Sequence, residues 1–251
     1  MTDQDRLAGK IIIALDTGTK PEALSLVHKL PDADIFKVGL TLFASEGPPL
    51  LKEIQKLGKK IFLDLKLHDI PNQIAGAVKA GVGLGVHMMT LHASGGREMM
   101  ARAAETALQE AEQAKSGKPL LLAVTVLTSL KEEQLKDIGM DDRVDYQVLR
   151  LARLAKENGM DGVVCSPKEI DIIKKEFGRT LLVVTPGIRP EWAAAQDQKR
   201  ILTPGKAMAK GVDYMVIGRP ITEALSPSEA FGKIVKELNR AVDSPDREDR
   251  P

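Results

Sequence analysis

Short aliphatic runs recur along the chain, and stretches with helical periodicity separate them. Several of these runs are apolar almost throughout, as expected of parallel strands that are buried on both faces. In Arg97–Lys115 and Arg143–Asn158 the apolar residues recur at the spacing of an amphipathic helix. The predicted strands are Ile11–Asp16, Ile35–Leu40, Lys60–Asp69, Gly85–His92, Leu120–Thr128, Gly162–Ser166, Leu181–Gly187 and Tyr214–Gly218.

The alternation of strands and helices predicts an α/β fold built from βα units around a parallel sheet. Because crossovers between parallel strands are right-handed, eight such units close most simply into a (β/α)₈ barrel. A doubly wound open sheet is the alternative. The chain has 251 residues, which suits one barrel domain over residues 10–240. The polar segments 1–9 and 241–251 are expected to be flexible termini.

Composition narrows the class of protein. The chain is 43% hydrophobic but only 3% aromatic, so aliphatic side chains must build the core. Its 36 basic and 35 acidic residues leave a net charge of +1, which gives no reason to expect a nucleic-acid or membrane partner. Cys165 is the single cysteine, so an intramolecular disulfide is impossible. Without a signal peptide or an apolar run of about 20 residues, the protein is expected to be cytoplasmic.

Polar residues gather where the predicted strands end, which is where barrel enzymes place their chemistry. Some of these side chains would do no more than cap the next helix, and for Asp16 or Ser129 alone capping is the better interpretation. Together the set favours a functional site. The residues concerned are Asp16, Asp64, Lys66, His68, Asp69, His92, Thr128, Ser129, Pro186, Arg189, Gly218 and Arg219, with Lys37 inside the second strand.

The third strand carries the strongest signal. Strand alternation sends Asp64 and Lys66 to the same face, toward the barrel axis. A charged pair is costly there unless it is satisfied, so it indicates either a buried structural ion pair or a functional one. Lys37, from the neighbouring strand, favours function, because a Lys–Asp–Lys array can hold one ammonium ionised and direct it at a ligand.

The last two strands predict a phosphate site. Each is followed by a turn with glycine and then an arginine, Arg189 after the seventh strand and Arg219 after the eighth. Loops at these two positions form the common phosphate cradle of barrels, and Gly218 lets the backbone N–H approach an anion. The connection Pro190–Pro204 is long enough for a lid, from which Gln198 would reach the phosphate, or it is a passive surface excursion.

With these residues identified, the chain resembles the orotidine 5′-phosphate decarboxylase family from about Ile11 to Leu238. The stretch Phe62–Asn72 is similar to the family's D-x-K-x-x-D-I-P signature. The supporting matches, in the family's order, are Ala14–Asp16, Phe36–Gly39, Val126–Ser129, Thr185–Arg189, Asp197–Gln198 and Ile217–Pro220.

The resemblance implies a cofactor-free decarboxylase that uses no metal. Asp64 would face the substrate carboxylate, and Lys66 would protonate C6. Asp69 and Ile70 would enter the partner's site in a homodimer, although Asp69 could instead cap the following helix. The binding residues implied are Asp16 and Lys37 for the ribose, Thr128 and Ser129 for the pyrimidine, and Arg189, Gln198, Gly218 and Arg219 for the phosphate. Pro186 is also expected to bind the substrate.

Three alternatives remain at this point. Related barrels with a similar motif hold Mg²⁺ with acidic residues, but an ammonium from Lys37 would repel a divalent cation. Metal binding through His68, His87 or His92 is a weaker hypothesis, because their spacing does not suggest a zinc site. A non-catalytic binder of phosphates would keep the two arginines without needing the Asp64–Lys66 pair.

Overall fold

The computed structural model describes residues 3–130, 132–140, 143–193 and 202–243. In these residues eight parallel strands, hydrogen-bonded in chain order, close into a barrel. The predicted (β/α)₈ fold is therefore confirmed, and the open-sheet alternative is wrong. The strands are β1 (Ile11–Leu15), β2 (Ile35–Gly39), β3 (Lys60–Leu67), β4 (Met88–His92), β5 (Leu120–Val124), β6 (Gly162–Val164), β7 (Leu182–Pro186) and β8 (Tyr214–Ile217).

Helices alternate with these strands, and 3₁₀ turns at Ala93–Gly95 and Glu191–Ala193 supplement them. Helix α3 is kinked at Gly47, whose φ of 61° breaks the helical path just before two prolines. The helices are α1 (Asp3–Ala8), α2 (Lys20–Lys29), α3 (Leu40–Lys56), α4 (Pro71–Gly83), α5 (Gly96–Ala114), α6 (Glu132–Asp137), α7 (Val144–Glu157), α8 (Ile170–Phe177), α9 (Pro204–Ala209), α10 (Arg219–Thr222) and α11 (Pro227–Asp243).

Every predicted strand overlaps an observed one, but most observed strands stop earlier. β1 ends at Leu15, just before Asp16, and β8 ends at Ile217, just before Gly218. β5 is shorter still, because Thr128 and Ser129 lie in the loop beyond it. Asp16, Thr128, Ser129 and Gly218 therefore belong to the βα loops, whereas Lys37, Asp64 and Lys66 lie within strands.

The chain divides into two compact units, and the first comprises residues 1–59 and 185–251. Within this unit β1 pairs in parallel with β2 and with β8. Three consecutive isoleucines of β1, at positions 11, 12 and 13, are fully buried. Helix α11 packs against α1, α2, α9 and α10. A strand that is apolar on both faces is what a central parallel strand requires.

The second unit comprises residues 60–184. Its parallel ladder runs from β3 through β4, β5 and β6 to β7. Helix α4 packs against α5, and α7 packs against both α5 and α8. β6 and β7 approach so closely that a Cβ at Gly162 would lie 2.7 Å from the Leu182 Cβ and carbonyl oxygen. Glycine is therefore required at position 162.

The termini differ from a simple expectation of flexible ends. Residues 3–8 form α1, which contacts α11, and Leu7 is buried. At the other end α11 continues to Asp243, and residues 244–251 lie outside the described part of the chain. Among the residues that are described, no helix combines the length and apolarity needed to cross a bilayer.

Candidate active site

In the first unit, Asp16, just beyond β1, forms an ion pair with Lys37 in the middle of β2. The Lys37 ammonium donates to Asp16 Oδ1 at 3.2 Å, and the two side chains are 13% and 69% exposed, respectively. Thr19, not Asp16, is the N-cap residue of α2, so the capping interpretation of Asp16 is wrong. A carboxylate held on one side by an ammonium and open to solvent on the other can still accept hydrogen bonds from hydroxyl groups.

The backbone after β8 passes close to the same carboxylate. A Cβ built on Gly218 would lie 3.4 Å from Ala14 Cβ and 3.5 Å from Asp16 Oδ2. Arg219, the next residue, is exposed at the start of the short helix α10. This glycine lets the main chain just before Arg219 pass close to the Asp16 carboxylate.

The connection after β7 is tied together at its ends. Ile188 and Leu202 form a parallel bridge, and Arg189 N donates to Leu202 O at 3.2 Å. Arg189 itself is half-buried. Gln198, predicted to reach the phosphate, lies outside the described residues. Position 189 is thus anchored by its backbone.

In the second unit, Asp64 and Lys66 meet as strand alternation predicted. Lys66 Nζ donates to Asp64 Oδ2 at 2.8 Å. The Asp64 side chain is only 12% exposed, whereas that of Lys66 is 40% exposed. The carboxylate is thus largely withdrawn from water, while part of the ammonium stays in contact with it. The exposed face of the ammonium remains available to a substrate.

The strand that carries this pair is irregular, which the sequence pattern did not indicate. Lys66 has a φ of 51°, a left-handed conformation that is rare for a residue with a side chain. The register of β3 with β4 also shifts between Leu63 and Leu67. Thr90, in the middle of β4, hydrogen-bonds both to Asp64 and to the Lys66 backbone. Sequence reasoning missed Thr90, and its only signal was a hydroxyl inside an apolar strand.

Two histidines lie beside this pair. The rings of His68 and His92 are 5.3 Å apart between centroids and tilted by 34°. Burial lowers the pKa of His92 below its ordinary value of 6.5, and the nearby His68 and Lys66 lower it further while Asp64 opposes them. Among the residues that the structure describes, no cluster of three His, Cys, Asp or Glu side chains could hold a metal ion.

The lowered pKa of His92 predicts a dependence of stability on pH. Because the unfolded chain protonates His92 more readily than the folded protein does, the free energy of unfolding should fall as pH drops below 6.5. Urea unfolding at about pH 5.5 and about pH 7.5 measures this slope. His92→Gln should flatten it, whereas His28→Gln, at an exposed histidine, should not. Identical slopes for wild type and His92→Gln would contradict the assignment.

Asp69 and Ile70 follow β3 and face outward. Asp69 Oδ1 accepts a hydrogen bond from Ile70 N at 2.7 Å, and both residues are exposed, Ile70 by 64%. The N-cap residue of α4 is Ile70, and no side chain caps this helix end, so the capping interpretation of Asp69 is wrong. Thr128 and Ser129 are likewise exposed, in the loop after β5.

A closed parallel barrel with ionised side chains at its strand ends is the architecture of a (β/α)₈-barrel enzyme. The chain belongs to the orotidine 5′-phosphate decarboxylase / HUMPS family, whose sequence model matches residues 9–234. The family membership that the D-x-K-x-x-D-I-P stretch predicted is therefore confirmed.

Individual relatives agree with this assignment. The chain is 50% identical to the orotidine 5′-phosphate decarboxylase of Syntrophomonas wolfei, over 91% of this chain and 97% of the relative. It is 51% identical to that of Dichelobacter nodosus, over 91% and 98%. Among solved structures, the orotidine 5′-phosphate decarboxylase of Lactobacillus acidophilus superposes with a TM-score of 0.82 at 39% identity, covering 91% of this chain and 98% of that one.

Proposed function

We propose that this protein decarboxylates orotidine 5′-phosphate to uridine 5′-phosphate, the step that forms UMP in de novo pyrimidine synthesis. Residues 10–240 would act as one catalytic domain. Family membership and the printed names of the relatives support the reaction. The observation that carries it is the Asp64–Lys66 ion pair of 2.8 Å at the end of β3, with the carboxylate withdrawn from water and the ammonium open to it.

Loss of CO₂ from C6 leaves a negative charge on a ring carbon, which water stabilises poorly. In our proposal the Lys66 ammonium stabilises this carbanion and then donates a proton to it, so the charge is met by a group that is already in place. Asp64 faces the substrate carboxylate. At about 4 Å and an effective dielectric near 20, this repulsion amounts to about 4 kcal/mol, and it is relieved as CO₂ leaves.

Binding of the remainder of the substrate opposes that repulsion. Asp16 and Lys37 are assigned to the ribose hydroxyls, and Thr128 and Ser129 to the pyrimidine. Lys37 also belongs to the charge array with Asp64 and Lys66. Phosphate binding far from C6 can supply free energy that is used at the reacting carbon. We assign the phosphate to Arg189, Gln198, Gly218 and Arg219, and we place Pro186 among the substrate-binding residues.

We also propose that the active protein is a homodimer in which Asp69 and Ile70 enter the partner's site. Both residues are exposed, and an isoleucine exposed by 64% beside a carboxylate suits a surface that a second copy covers. We place the dimer in the cytoplasm, in keeping with a chain whose single cysteine, Cys165, is buried and can form no intramolecular disulfide.

Mixing two inactive variants tests this exchange of residues. Asp69→Ala and Lys66→Ala dimers, unfolded together and refolded, should recover about a quarter of wild-type activity, since roughly half of the dimers are hybrids with one intact site each. Ultracentrifugation follows the oligomeric state. No recovery, or a monomer with full activity, would end the dimer proposal.

The rival reaction on a similar scaffold requires Mg²⁺ held by carboxylates. In this protein Asp16 is bonded to the Lys37 ammonium at 3.2 Å, and Asp64 to the Lys66 ammonium at 2.8 Å. A divalent cation at either carboxylate would have to displace an ammonium, which favours cofactor-free chemistry.

One assay tests the proposed reaction. Purified protein treated with EDTA should deplete the ultraviolet absorbance of orotidine 5′-phosphate and release CO₂ at the rate of untreated protein. Loss of the rate in EDTA, with recovery on adding Mg²⁺, would support the metal-dependent rival. Binding of the substrate without any CO₂ would support a non-catalytic phosphate binder.

A further inference from the structure

Where β3 pairs with β4, one residue of β4 lies opposite three residues of β3. Leu63 pairs with Met89 and Leu67 with Leu91. Between these pairs β3 contains Asp64, Leu65 and Lys66, whereas β4 contains Thr90 alone. The backbone of Thr90 has one N–H and one C=O, which cannot pair with the N–H and C=O groups of all three β3 residues. The strand pairing therefore needs another hydrogen-bond partner at this bulge.

The side chain of Thr90 provides that partner. Its hydroxyl oxygen accepts a hydrogen bond from Lys66 N at 2.9 Å. The same hydroxyl donates its proton to Asp64 Oδ1 at 2.9 Å. With Lys66 Nζ bonded to Asp64 Oδ2 at 2.8 Å, the contacts form a closed ring through both charged residues. The Thr90 hydroxyl thus donates its single proton to Asp64 and accepts the Lys66 N–H with one lone pair.

The surroundings make this ring specific to a hydroxyl. Thr90 is 1% exposed, so no bulk water can replace its hydrogen bonds. Lys66 is held at a φ of 51°, a conformation that a residue with a side chain adopts only when its surroundings enforce it. The N–H of that residue is the group that Thr90 binds. The hydroxyl therefore fixes the backbone of the lysine and the orientation of the aspartate together.

We propose that Thr90 is a positioning residue for the decarboxylation: its hydroxyl holds Lys66 in the left-handed conformation and directs Asp64 toward the ammonium. The inference rests on the proposed function, because the pair it positions is the pair assigned to C6 and the leaving carboxylate. Thr90 touches no substrate in this role. It acts through the two residues that do.

The change that isolates the hydroxyl is Thr90→Val, which keeps the shape of the side chain. We expect kcat for orotidine 5′-phosphate to fall about 10- to 100-fold, because misplacement of a reacting group by a fraction of an ångström to an ångström has costs of this size. KM should stay within about 3-fold, since Thr90 binds neither the ribose nor the phosphate. Thr90→Ser, which restores the hydroxyl, should restore kcat to within about 3-fold of wild type.

Thr125→Val is the matched control. Thr125 is also buried, in the same compact unit just beyond β5, and its hydroxyl donates to Val164 O at 3.0 Å. This change should lower Tm as Thr90→Val does but leave kcat unchanged. A second readout without turnover is hydrogen exchange of the Lys66 amide, which should speed up in Thr90→Val and not in Thr125→Val.

The outcomes separate this inference from the reaction itself. If the wild type is active and Thr90→Val folds with the same kcat, the role of Thr90 is overturned and the proposed function stays intact. The same conclusion follows if Thr90→Ser is as slow as Thr90→Val. A wild type that releases no CO₂ overturns the proposed function instead. If Thr90→Val does not fold, equal kcat values for Thr90→Ala and Thr90→Ser overturn the role of Thr90.

Discussion

Lys66→Ala is expected to lower kcat for orotidine 5′-phosphate by about 10⁴-fold or more. In the proposed mechanism the alanine protein loses both the charge that stabilises the carbanion and the proton donor that quenches it, and each contribution is worth about 10²- to 10³-fold or more. Stopped-flow or long-time absorbance assays cover this range. KM should change far less, because phosphate and ribose contacts remain.

Two control variants make the Lys66 result interpretable. Lys79→Ala removes another lysine with a 2.8 Å ion pair, to Glu110 on the surface, and should leave kcat unchanged. Lys66→Arg keeps the positive charge, but a guanidinium does not give up its proton, so its kcat should lie between those of the wild type and the alanine variant. A Lys66→Ala protein with more than about a tenth of wild-type kcat would contradict the role of Lys66 as proton donor.

Arg219→Ala has the second-largest expected effect, a fall in kcat/KM of about 10²- to 10³-fold. A charge-assisted, bidentate contact to a phosphate dianion is among the stronger single interactions in a binding site, and its loss weakens the transition state along with the substrate. Arg219 is exposed at the start of α10, so Tm should barely move.

The substrate without its phosphate provides the critical comparison for Arg219. Orotidine has no phosphate, so Arg219→Ala should turn it over as slowly as the wild type does. Arg102→Ala, at a surface arginine paired with Glu105 at 2.7 Å, is the matched control on orotidine 5′-phosphate. Equal losses on orotidine and its phosphate would show that Arg219 does not bind the phosphate.

The barrel was predictable because most of its strands are nearly continuous aliphatic runs, each followed by a polar residue or a glycine. Ile11–Leu15 is followed at once by Asp16, and Tyr214–Ile217 by Gly218. A parallel strand that is buried on both faces needs apolar side chains along its length, and the loops at the strand ends can hold polar residues. α1 was missed because a six-residue polar helix lacks a strong periodic signal and is held by tertiary contacts with α11.

The Asp64–Lys66 contact was predictable from the sequence, but the irregular backbone around it was not. Strand alternation correctly predicted that Asp64 and Lys66 would lie together. It could not predict the bulge in β3, because the register shift depends on how β3 pairs with β4. Thr90 then resembled an ordinary strand threonine. The contribution of Asp69 could not be derived either, since it would depend on a second copy of the chain.

The bridge between Ile188 and Leu202 affects how this protein can diversify. The two ends of the intervening segment are already side by side, and the entropy of closing a longer loop grows only with the logarithm of its length. Insertions or deletions between these points therefore leave β7 and α9 nearly undisturbed. The number of residues between Ile188 and Leu202 can therefore change while the barrel keeps its stability.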